Sequence, residues 1–192
     1  MKTVKFLLLS GLLLFSRGCD FYSTSLWIFQ ENGLEGEMNP LTQLFGVGWN
    51  GLIIANVIVI ALVLLLLAKY YFRHSVPKEF SPVPSNFKEM ISIWYFDRPD
   101  QFYRLFYRMP INRPVSLAHA GYVLTITIII GSFLATIHNL CQFYQVPFYD
   151  TFRNWVGRPL FVIYGLILLT IFISSYLLFK REYRTYLAHN QS

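Results

Sequence analysis

The sequence predicts an all-α, polytopic membrane protein with four transmembrane helices, both termini on the cytoplasmic side, and interfacial amphipathic helices in one long connection. Three observations carry that reading. Hydrophobic residues make up 55% of the 192 and charged residues only 14%, far from the average of soluble globular domains. The apolar residues are bunched into long runs, where a soluble core would space them at helical or strand intervals. The 16 Lys and Arg residues gather in alternate connections, as orientation in a bilayer requires.

The first span runs over residues 6–29 and is interrupted by Arg17 and Asp20. At about 1.5 Å per residue it is long enough to cross a hydrocarbon core about 30 Å thick. The second covers 49–72 and contains the run from Leu52 to Leu67, with Asn56 as its strongly polar interruption. The third covers 117–138, and the fourth, 160–179, ends at Lys180 and Arg181. Trp49, Tyr144, Tyr149 and Trp155 fall near one set of ends, where interfacial aromatics belong. The chain therefore divides into a polar hairpin over 1–72, an interfacial connection over 73–116, and a second hairpin with a basic tail over 117–192.

Twelve basic residues lie in the N-terminal stretch, the 73–113 connection and the tail, against two, Arg153 and Arg158, in the connections on the other side. That bias places both termini in the cytoplasm of a cell whose plasma (inner) membrane houses the chain, a bacterial one on this reading. It also accounts for the net charge of +6 without nucleic acid. The expected partners are the lipid bilayer and either further copies of the chain or another membrane protein. A competing reading of the first span is a lipoprotein-type signal cleaved before Cys19, which Arg17 and the apolar run from Phe21 to Phe29 fit poorly. Cys19 and Cys141 are the only cysteines, too few for a disulfide framework or a thiolate zinc site.

The 73–116 connection opens with Pro77, Pro82 and Pro84, which disfavour helix. From Asn86 to Phe96 apolar residues recur at helical spacing, and a second such piece follows the turn at Asp97–Asp100. Both are expected to lie in the headgroup layer, anchored by Phe87, Trp94 and Tyr95 in the first and by Phe102, Arg104, Phe106 and Arg108 in the second.

Chemistry is concentrated in the first hairpin. Ser10, Arg17, Asp20 and Thr24 share one helix face, and Arg17 and Asp20 are close enough to pair. An ionisable group in hydrocarbon costs several kcal/mol, so this face must turn toward protein or trapped water. The 30–40 connection carries three carboxylates and no base, and Asn39-Pro40 is suited to open a short re-entrant turn. Asn50 and Asn56 lie about one and two turns inside the same membrane face, and Asn56 is at a depth comparable to Asp20. With Glu37 and Asn39 in that connection and His138 and Asn139 closing the rim, these residues form the expected polar pocket.

Asp20, Thr24 and Glu37-Met38-Asn39-Pro40 resemble a family of short uncharacterised prokaryotic membrane proteins, a domain of unknown function. Its members carry an Asp and a hydroxyl residue in the first span and a Glu-x-Asn-Pro element before the second. The resemblance covers about the first 70 residues and implies that the first span is retained. It implies no activity.

No Gly-x-Ser-x-Gly, His-Glu-x-x-His or phosphate-loop pattern occurs. His119 reads as a packed or interfacial residue. Asp20, Glu37 and His138 are the weak candidates for a metal, with no cofactor indicated. The sequence thus favours a structural or accessory subunit. The alternatives are a small transporter or channel subunit with a proton- or ion-binding pocket, and an intramembrane metal-assisted enzyme.

Overall fold

The computed structural model describes residues 2–29, 46 and 48–190, and every regular element among them is helical. Helix α1 spans Lys2–Ile28, α2 Trp49–Arg73, α3 Phe87–Phe96, α4 Arg113–Phe143, α5 Pro147–Val156 and α6 Pro159–Asn190, with a 3₁₀ turn at Phe102–Phe106 between α3 and α4. Three of them, α2, α4 and α6, are long and apolar enough to cross a membrane. At 27 residues α1 is also long, but its apolar run is broken by Arg17 and Asp20 and it is not among the three.

Helix α4 is the axis of the bundle. It packs along α1, α2 and α6, and α1 also touches α2. The reason for the close approach to α2 is Gly121: a Cβ there would stand 2.4 Å from the backbone carbon of Leu66. Interfaces of this kind depend on small residues because lipid leaves no hydrophobic gain to distinguish helix from solvent. The core follows the axis, from Leu13, Val63 and Ile129 in mid-bundle to Leu67, Tyr70, Tyr71, Ala118 and Leu178 nearer the basic end.

At that basic end the 73–116 connection folds against the bundle. Asn86 caps α3 by accepting from the Glu89 amide at 3.0 Å, while the Glu89 carboxylate accepts from the Ser85 amide at 2.9 Å and the Ser85 hydroxyl at 2.8 Å, a reciprocal capping arrangement. Those bonds hold the Glu89 carboxyl below its ordinary range. Asp97 ends the helix in the left-handed region at φ 59°. The Ser92 hydroxyl then pins the turn, donating to the Arg98 carbonyl at 2.5 Å and accepting from the Gln101 amide at 2.7 Å.

Three features differ from the sequence reading. Trp94 and Tyr95 do not face headgroups: with Met90, Ile91, Val76 and Tyr186 they form a protein core under the C-terminal turns of α6. Each such side chain contributes about 1.5–3 kcal/mol when fully buried, which outweighs partial burial at an interface. The second amphipathic piece is a five-residue 3₁₀ turn, cut short before Pro110, that leaves Phe106, Met109 and Arg108 exposed; Phe87, Phe102 and Arg104 are half-buried. The basic tail is not separate, since α6 continues through Lys180 and Arg181 to Asn190, and the outer connection holds α5, which Pro147 opens and Gly157, at φ 75°, closes.

Candidate functional site

Two polar clusters lie along α4. The first is centred on Arg17. Its guanidinium donates to Asp20 Oδ2 at 2.6 Å, to Ser132 Oγ of α4 at 3.2 Å and to Asn56 Oδ1 of α2. It also lies 5.5 Å from the Phe21 ring centroid. Asn56 is held in turn by its own amide, which donates to the Leu52 carbonyl at 2.8 Å. One turn further along α1, Asn139 of α4 donates to Ser23 and Thr24, each at 3.2 Å, and its carbonyl accepts from the Trp27 indole at 3.3 Å. The polar face of α1 is thus sewn to α4 at two levels and to α2 at one.

The other residues expected in the pocket are distributed differently. Asn50 is exposed at the start of α2. His138 is buried, and its Nδ1 engages the Tyr149 hydroxyl of α5. Burial pushes the Tyr149 phenol above its ordinary value. Glu37 and Asn39, and with them the Glu-x-Asn-Pro element and its expected re-entrant turn, lie outside the described residues. Of the three metal candidates, Glu37 is among these, and Asp20 and His138 do not form a group with a third ligand among the described residues.

The second cluster sits at the basic end, where sequence reasoning placed no site. His74 caps the C-terminus of α2, His119 lies in the second turn of α4, and Glu182 lies in the continuation of α6. One ligand atom from each falls within 4.8 Å of the others, the spacing of a group that can hold a metal ion. His119 and Glu182 retain 2% and 4% exposure. His74 Nε2 stands 3.3 Å from His119 Nε2 and 3.4 Å from Glu182 Oε2.

Further groups hold these three. Tyr95 Oη contacts His119 Nδ1 at 2.6 Å, and the Tyr70 hydroxyl donates to Glu182 Oε1 at 2.5 Å while accepting from Arg181. The His74 ring is stacked between Tyr70 and Trp94, with centroids 5.2 Å and 5.1 Å away. Burial, and behind it the Glu182 charge, raises the Tyr95 phenol far above its ordinary value, so Tyr95 stays protonated. The only advance signal was a pair of histidines near the ends of two apolar runs. Their carboxylate partner is 108 residues from His74, in a segment that reads as a basic tail.

No protein-family model matches the chain, and no curated protein or solved structure matches it either.

Proposed function

We propose that this chain is a four-span integral protein of a bacterial plasma membrane, both termini cytoplasmic, that acts as a structural or accessory subunit assembling with copies of itself or with partner membrane proteins. The observation that carries the reading is the state of Arg17. Every described donor contact of its guanidinium goes to a fixed side chain, and those side chains come from α1, α2 and α4. A gate or carrier needs a charge that can exchange partners, whereas a charge engaged by three helices clamps them.

Placement of α1 against α2 and α4 supports its membership of the spanning set, because its one charged pair is directed into the bundle. The twelve-to-two distribution of basic residues supports the orientation, and gathers Lys69, Arg73, Lys180 and Arg181 at one end. The large apolar residues exposed along α6, among them Phe161, Leu168 and Phe172, supply surface for lipid or for a partner helix. The charge excess is absorbed by orientation, which leaves nucleic acid without a role.

The test is Asp20→Asn and Arg17→Gln in protein reconstituted in nanodiscs and proteoliposomes. The expected result is lowered thermal stability and altered assembly size in both variants, with no proton or ion flux through the native protein. A native protein that conducts, together with variants that keep stability and size but abolish flux, would replace this reading by the conduit.

A further inference from the structure

We propose that His74, His119 and Glu182 form a binding site for a divalent transition-metal ion of the zinc class. The inference goes beyond the assembly reading and does not depend on it.

The hydrogen bonds that join His74 to His119 and Glu182 are long and compete for one ring nitrogen. A neutral imidazole nitrogen is either a donor or an acceptor. If His74 Nε2 accepts from His119, its lone pair faces the Glu182 carboxylate at 3.4 Å. If it donates, its single proton is shared between that oxygen and the His119 nitrogen 3.3 Å away. Both separations exceed the usual N–H donor range of about 2.7–3.2 Å. Three lone pairs converging on one cation remove the conflict.

The two separations from His74 also favour one geometry. Two ligands bound at about 2.0–2.1 Å in a tetrahedral site are about 3.3–3.4 Å apart. In an octahedral site the same bonds put neighbouring ligands about 2.8–3.0 Å apart. His74–His119 at 3.3 Å and His74–Glu182 at 3.4 Å match the tetrahedral edge, while the third pair, His119–Glu182, is wider, within 4.8 Å, and must close when the ion binds. Two imidazoles with one carboxylate suit zinc better than calcium or magnesium, which prefer all-oxygen sites. Three protein ligands leave the fourth position to water.

The surroundings are those of a metal site. Tyr95 Oη lies 2.6 Å from His119 Nδ1, where accepting from Nδ1–H in the metal-bound tautomer would keep Nε2 as the lone-pair nitrogen. Tyr70 occupies Glu182 Oε1 and leaves Oε2 for the ion. Stacking between Tyr70 and Trp94 sets the plane of the His74 ring. Ligands from α2, α4 and α6 mean that the ion would tie together the three helices at the basic end.

The experiment uses full-length protein purified in detergent without a polyhistidine tag, stripped with a chelator and titrated with Co²⁺. The expected result is stoichiometric Co²⁺ with the intense visible bands of a four-coordinate ion, displaced by Zn²⁺, and a melting temperature that rises with Zn²⁺. His74→Gln, chosen because His74 lies at a helix end, is expected to weaken Co²⁺ binding by at least about 100-fold, and Tyr95→Phe by about 10- to 100-fold. His189→Gln, at an exposed position, is the control expected to bind as the native protein does. Native protein that neither develops the bands nor gains thermal stability would overturn the proposal, as would a folded His74→Gln variant that binds Co²⁺ like the native chain.

Discussion

The mid-bundle cluster and the basic-end cluster hold the same axis by different means. Around Arg17, one long side chain reaches from α1 to short partners on α2 and α4, and the charge is balanced within a single helix by Asp20 at 2.6 Å. Around His119, short, stiff rings from separate elements meet tip to tip, and the balancing carboxylate comes from a different helix. A flexible guanidinium with several donors tolerates small shifts between helices. Imidazoles meeting at their ring nitrogens do not, so the basic end requires α2, α4 and α6 to be placed more accurately than the middle does.

The harshest way to break both regions together is Gly121→Ala. The added methyl would overlap the Leu66 backbone, which cannot rotate away, and α2 would be forced off α4 between the two clusters. A loss of about 3 kcal/mol or more is expected, read as a collapse of the thermal transition in detergent. An unchanged melting temperature would show that the two helices do not cross at this glycine.

The next largest effect separates clamp from core. Arg17→Leu removes the guanidinium paired with Asp20 and should cost about 2 kcal/mol, below the cost of a fully enclosed pair because the two side chains keep 18% and 15% exposure. Adding Asp20→Leu should recover more than half of that loss, since an apolar pair of similar volume needs no solvation. Equal damage in the single and double variants would mean that the pair contributes more than mutual neutralisation. At the basic end the corresponding pattern is not expected, because Glu182 is engaged by His74 and Tyr70 from outside its own helix.

The smallest effect concerns α3, which supplies Trp94 and Tyr95 to the basic-end cluster. The Glu89 carboxyl is held below its ordinary 4.5 by bonds from Ser85 and Asn86. A carboxyl lowered on folding stabilises the structure above its unfolded pKa, and that contribution disappears as the pH falls through the folded value. Glu89→Gln should therefore reduce amide-exchange protection across Phe87–Phe96 at neutral pH, with the difference from the native protein closing in acid. A difference that persists unchanged in acid would assign the loss to something other than the ionised cap.

How far each cluster could be read from the chain follows from its construction. Arg17 and Asp20 are three residues apart, and helical periodicity alone puts them on one face with Thr24. Asn56 was also legible, because a polar residue inside so apolar a run must find a partner. Ser132 was less so: a small residue on α4 gains meaning only once α4 lies beside α1. His74, His119 and Glu182 carry no spacing motif, and Glu182 stands among Lys180, Arg181 and Arg184 in a stretch whose charge suggests a solvated tail. Likewise Trp94 and Tyr95 have the periodicity of an interfacial helix, and the same pattern suits a helix buried against protein.

The linear chain by itself determined the membrane class, the long apolar helices and the demand that Arg17 find polar company, because lipid imposes those conditions on each segment separately. The company that His119 keeps was decided only by the tertiary structure. Which ring nitrogen meets which carboxylate depends on the crossing of α2 over α4 at Gly121 and on the length to which α6 continues, and both are products of packing between helices.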